Sequence, residues 1–277
     1  MPPTVVALTR STHPGPTTSV TIVALVLGVS VGLEPLRLVL LGVVILTNQA
    51  SIGLSNDWLD AERDRAVGRL DKPVALGLIS VRTVRVWAVG TAVASVSLAV
   101  PLGPWATLAN VAFLASAWGY NLGLKKTAFS VVPYLVSFGL LPLIVTLSRP
   151  DQSLAAWWAI GMGALLGAAA HFANVLPDFD DDRRTGIRGL PHRLGRALSG
   201  IITCVALVAA SVLAVFGLGD SAGWAVWAGV LLTSAIALLC AVLLLTRAPS
   251  RLLFQLIILA ALVNVTLLAV SGERLLA

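Results

Sequence analysis

Apolar stretches without a charged residue recur along the chain at 38–55, 86–124, 128–148, 153–170, 197–218, 221–246 and 252–271. A helix needs roughly 20 such residues to cross a hydrocarbon layer about 30 Å thick, and these windows are of that order or longer. The 86–124 stretch is interrupted by Pro101-Leu102-Gly103-Pro104, a turn signal that divides it into two spans. A further segment at 19–33 supplies a first span and brings the number to about nine. The pattern predicts an all-α, polytopic membrane protein, with residues 1–18 as a cytoplasmic segment and 19–271 as one transmembrane domain. Residues 1–19 lack the basic start and small-residue cleavage site of a signal peptide, so the first span is expected to stay.

Composition agrees: 57% hydrophobic residues and a mean hydropathy of +0.92 exceed the roughly 45–50% apolar content of soluble domains. Cys204 and Cys240 both fall within spans and read as small buried hydrophobes. The formal charge of +6 would suit a nucleic acid, yet the charges sort by loop. With nine spans, Arg10, Arg63, Arg65, Arg69, Lys72, Arg82, Arg85, Lys125, Lys126, Arg183, Arg184, Arg188, Arg193, Arg196, Arg247 and Arg251 share one side. Only Arg37, Arg149 and Arg274, three of nineteen basic residues, lie opposite. By the positive-inside rule the N-terminus and long loops are cytoplasmic and the C-terminus is outside, in a cell membrane. Membrane lipid, not nucleic acid, is the partner this distribution implies.

Nine of the thirteen acidic residues crowd into two places: Asp57, Asp60, Glu62, Asp64 and Asp71, then Asp178, Asp180, Asp181 and Asp182. Asn56-x-x-x-Asp60-x-x-x-Asp64 ends the second span and Asn174-x-x-x-Asp178-x-x-x-Asp182 the sixth, 118 residues later. The same offset relates Arg65 to Arg183, Gly68 to Gly186, Pro73 to Pro191, Leu76 to Leu194 and Gly77 to Gly195. These matches describe two like-oriented four-helix repeats plus one helix, arranged around a central cavity. On a helix, positions i, i+4 and i+8 stay within about 80° of one another, so each copy aims Asn, Asp and Asp at one spot. His171, three residues before Asn174, falls on the same face. Carboxylates at this density repel and call for a cation between them. Oxygen ligands from facing helices suit Mg²⁺, which bridges carboxylates to substrate phosphates. A solvated loop edge paired with arginines would need neither the Asn nor the fixed spacing.

The sequence here resembles the UbiA superfamily of intramembrane prenyltransferases. Asn56-Asp57-Trp58-Leu59-Asp60-Ala61-Glu62-Arg63-Asp64 is similar to its NDxxDxxxD signature and Asp178-Phe179-Asp180-Asp181-Asp182 to its DxxxD signature. Asp64-Arg65-x-x-x-Arg69-x-x-Lys72-Pro73 and Tyr120-Asn121-x-x-x-Lys125 resemble its cytoplasmic loop motifs, with Lys72 where many members carry Arg. The resemblance implies two Mg²⁺ ions held by Asn56, Asp60, Asp64, Asn174, Asp178 and Asp182, and a prenyl diphosphate cradled by Arg69, Lys72 and Lys125. Tyr120 would flank an allylic carbocation, and Asp57 would assist from behind or activate the acceptor. The implied activity is prenyl transfer to an aromatic, quinoid or lipid acceptor. Intramolecular terpene cyclisation at the same site is an alternative, because polar residues available to hold an acceptor are few: Asn48, Gln49, Ser51, Asn121, Ser137 and His171. A transporter is the third reading, disfavoured by the absence of a charged pair at the bilayer midplane.

Secondary features follow from position. Trp157, Trp158, Trp224 and Trp227 read as interface anchors, Pro133 and Pro142 as a kink around Phe138-Gly139, and Asn110 and Asn264 as interhelical hydrogen-bond partners. His192 and Arg193 are expected to meet lipid headgroups or their own loop, and the Gly- and Ala-rich segment 161–170 to admit the isoprenoid tail.

Overall fold

In the computed structural model, residues 3–177, 179, 182, 186–246 and 251–277 are described. Their helices are α1 (Pro3–Ser11), α2 (Pro14–Ser30), α3 (Pro35–Leu59), α4 (Ala61–Ala66), α5 (Val81–Ala99), α6 (Pro104–Leu122), α7 (Val132–Leu147), α8 (Trp157–Val175), α9 (Leu190–Leu194), α10 (Arg196–Leu218), α11 (Trp224–Thr246) and α12 (Arg251–Val270). Among the described residues no strand forms beyond one isolated bridge, Ala155 with Leu276. Five helical segments, at Pro35–Leu59, Val81–Leu102, Trp157–Val175, Arg196–Ser221 and Trp224–Leu244, are long and apolar enough to cross a membrane, and three shorter apolar ones accompany them. The protein is an all-α, multi-pass membrane protein.

Prolines set several helix starts. Pro14, Pro35, Pro104 and Pro133 occupy first-turn positions, where the missing N–H is no loss. Pro133 therefore begins α7 instead of kinking it, and only Pro142 lies inside that helix. Successive long helices pack as neighbours in the order α2, α3, α5, α6, α7, α8, α10, α11, α12, and α12 returns to α2, closing a ring. One apolar cluster, with Leu27, Leu41, Ile45, Phe113, Ile144, Met162 and Leu268, fills the centre. Large apolar residues such as Val39, Val93, Leu108, Phe216 and Leu231 remain on the outer surface, as a lipid-facing wall requires.

At the turn end opposite the acidic motifs, three arginines cap helix termini. Arg37 donates to the carbonyls of Ser148 (2.9 Å) and Leu102 (3.3 Å), Arg274 to that of Ser221 (3.1 Å), and Arg149 to that of Val31. Terminal carbonyls have no partner within their own helices, so these cations are part of the scaffold.

Candidate active site

Asp60 marks the bend between α3 and α4. Its N–H meets the carbonyl of Asn56 (2.9 Å) and its own carbonyl receives the N–H of Asp64 (2.8 Å). The i to i−4 ladder thus runs through the bend and preserves the Asn56, Asp60, Asp64 register across two helices. Asp60 and Asp64 are 5% and 2% exposed. Buried carboxylates this close need compensation, and the chain supplies it. Lys125 Nζ lies 2.5 and 2.6 Å from the two Asp60 oxygens, and Arg63 Nη2 spans Asp60 (3.1 Å) and Asp64 (3.0 Å). Burial lowers the Lys125 pKa below the ordinary lysine value although Asp60 pulls it upward.

The opposite wall comes from the second half. His171 of α8, Asp182 and His192 join Asn56, Asp60, Arg63, Tyr120 and Lys125 around a cavity of about 100 Å³. Asp182 and His192 stand 3.5 Å apart. Tyr120 meets Tyr134 and His171 edge-on, at ring separations of 5.2 and 5.9 Å. His171 Nε2 contacts Ser130 Oγ (3.0 Å), which also accepts the N–H of Leu190 (2.8 Å) and so ties the loop after the second motif to the turn after α6. Arg63 Nη1 and His171 Nδ1 are buried with no hydrogen-bond partner.

Of the residues expected at the site, Asn56, Asp60, Tyr120, Lys125 and Asp182 line this cavity, while Asp64 stands behind Arg63. Asn174 is exposed and hydrogen-bonds Tyr134, and Asp178 lies outside the described residues. Asp57, Arg69 and Lys72 are not among the lining residues. Asp57 instead accepts from Lys72 (2.6 Å) and lies 2.8 Å from His13 Nε2. Arg69 grips Asp71 (2.8 and 2.9 Å) in the loop, holding that carboxyl at about 2. His192, expected toward headgroups, has a side chain only 3% exposed beside Asp182. Arg63 is an additional lining residue, at an unassigned position of the first motif. Its sequence signal was a cation three residues after one Asp and one before another. Among the described residues no three His, Cys, Asp or Glu side chains form a ready metal-binding group.

The model of the UbiA prenyltransferase family matches residues 17–270. The chain belongs to this family. The bacteriochlorophyll synthase 33 kDa chain of Cereibacter sphaeroides is 30% identical over 236 residues, covering 80% of this chain and 77% of that relative. Digeranylgeranylglyceryl phosphate synthase of Methanopyrus kandleri is 28% identical over 193 residues, covering 68% and 69%. A UbiA homolog from Archaeoglobus fulgidus, solved bound to DMAPP and Mg²⁺, shares the fold at a TM-score of 0.74 and 14% identity, over 97% of this chain and 99% of that one. As a UbiA-family member the protein is a prenyltransferase, an enzyme that transfers alkyl groups larger than methyl.

Proposed function

We propose that this UbiA-family enzyme binds a prenyl diphosphate at the cavity and transfers its prenyl group to a lipophilic aromatic, quinoid or lipid acceptor within the membrane. The reading is carried by one observation: Asn56 and Asp60 of the first motif and Asp182, the last residue of the second, line the same small cavity as Arg63 and Lys125. The donor set is of hard oxygens, and protein cations already bridge its carboxylates, which fits Mg²⁺. Asn56, Asp60, Asp64, Asn174, Asp178 and Asp182 would hold two ions, which when bound supply Lewis-acid neutralisation of the leaving diphosphate.

The chain's own groups do the rest. Lys125 and Arg63 exchange carboxylate partners for phosphate oxygens as substrate enters, and Arg69 and Lys72 lend positive charge from the adjoining loop. The allylic C–O bond breaks with its electron pair leaving on the diphosphate. Tyr120 presents an aromatic ring toward the resulting cation, the acceptor's electron pair forms the new bond, and the acceptor gives up a proton to the released diphosphate. The ring of apolar helices excludes the water that would otherwise quench the cation. The N-terminus, the basic loops and this site face the cytoplasm, following the sided distribution of Lys and Arg.

A terpene cyclase is the second reading. It is favoured because most polar residues that could hold an acceptor are used within the bundle. Asn48 bonds Asn110 (2.8 Å), Gln49 bonds Asn48 (3.1 Å), Ser51 bonds the Ala88 carbonyl (2.8 Å) and Asn121 bonds Ser55 (2.8 Å). Mass spectrometry of products formed from geranyl diphosphate, with and without lipid extract, separates the two: an acceptor adduct supports transfer, and a cyclic hydrocarbon made without acceptor supports cyclisation. Asp60→Asn keeps the shape that Lys125 and Arg63 pack against, and is expected to reduce diphosphate release by about two orders of magnitude or more. Wild-type turnover in that variant would contradict the site.

A further inference from the structure

Among the polar residues lining the cavity, His171 has an arrangement that the family motifs leave unused. Its ring is 1% exposed and is enclosed by Tyr134 (4.9 Å), Tyr120 (5.9 Å) and Phe172 (5.5 Å), which fix its orientation. Ser130 Oγ lies 3.0 Å from Nε2 and already accepts the N–H of Leu190. Ser130 is fully buried, and among the described residues its hydroxyl, which already accepts the Leu190 N–H, otherwise contacts Nε2, an atom that accepts in one ring tautomer and donates in the other. A buried hydroxyl seeks such an acceptor, so Ser130 donates to Nε2 and the neutral ring carries its proton on Nδ1. That Nδ1–H is buried and has no protein partner, while the residue lines the same cavity as Lys125 and Arg63. A buried donor left without a hydrogen bond is unfavourable, and a bound oxygen would meet it.

We infer that His171 is a further binding residue for the substrate, giving a neutral Nδ1–H hydrogen bond to an anionic diphosphate oxygen, with Ser130 setting the tautomer. The inference rests on the proposed prenyl diphosphate site and adds a donor from the second half of the chain to the cations of the first.

Two amides separate this role from a structural one. An Asn side chain places its nitrogen near the position of Nδ1, and a Gln side chain places its amide near Nε2. Equilibrium binding of geranyl diphosphate with Mg²⁺ to the full-length protein in detergent should therefore be kept within about three-fold in His171→Asn. In His171→Gln it should weaken about ten-fold or more, as loss of a hydrogen bond to a charged group requires. Equal losses, or the reverse order, would overturn the inference and leave His171 as a tether for Ser130. If the wild type bound no geranyl diphosphate, the diphosphate reading itself would fall. Should either variant unfold, ¹⁵N-histidine NMR of the wild type answers the same question, since the chain has three histidines. The His171 signal should report protonated Nδ1 and shift on addition of geranyl diphosphate, whereas an Nε2–H tautomer or an unmoved signal would overturn the assignment.

Discussion

Asp57 and Lys72 show where side-chain chemistry departs from what spacing conveys. Read along the chain, Asp57 belongs to the acidic signature and Lys72 to the phosphate loop. In the fold they are 1% and 9% exposed and pair with each other, with His13 Nε2 2.9 Å from Lys72 Nζ. His13 reaches them from a left-handed backbone turn (φ 55°) seated on Gly53, where any Cβ would collide with the Thr12 carbonyl. The partner is 44 residues distant in sequence, so no local pattern announces it. By contrast Asn56, Asp60 and Asp182 were legible from helical spacing and the repeat, and Tyr120 and Lys125 from the resemblance of their segment to a family loop motif, and all five line the cavity. Removing one member of a buried pair leaves an uncompensated charge, so Asp57→Ala should destabilise the protein by about 3–5 kcal/mol, and Asp57→Leu with Lys72→Met should recover much of that loss. Thermal unfolding in detergent measures both, and an unchanged midpoint for Asp57→Ala would refute the structural role.

At the level of elements, hydropathy located the helices well, while their contacts depended on small residues. A Cβ at Gly163 or Gly167 of α8 would overlap the carbonyls of Phe138 and Tyr134, so these glycines allow α7 and α8 to touch backbone to backbone. The 161–170 segment is thus a site of close packing that also holds Tyr134 beside the cavity. Gly167→Val should lower stability by about 1–3 kcal/mol through overpacking and reduce turnover by displacing Tyr134. Gly90→Val, with nothing within 4 Å of the added carbon, should leave both unchanged, and equal behaviour of the two variants would contradict this packing. Neighbouring tryptophans also part company. Trp157 is 65% exposed, as an interface anchor should be, but Trp158 is 2% exposed and packs on Gly217. A 100° step along the helix turns one outward and the other inward, and hydropathy alone does not say which.

Across the whole molecule, the two copies related by an offset of 118 residues contribute to one cavity, Asn56 and Asp60 from the first and Asp182 from the second, while the basic residues of the sequence sort unevenly between loops. The three basic residues that break the asymmetry are those that cap helix ends, so they owe their side to structure. What the repeat left open was whether its copies meet, since that depends on how the helix ring closes. The most direct test of a shared site is the number of Mn²⁺ ions, used as a magnetic stand-in for Mg²⁺, bound per chain with geranyl diphosphate present. Electron paramagnetic resonance titration should find two ions in the wild type and a loss of metal in both Asp60→Asn and Asp182→Asn. Full metal binding in either variant, with turnover intact, would mean that the two halves do not build one site.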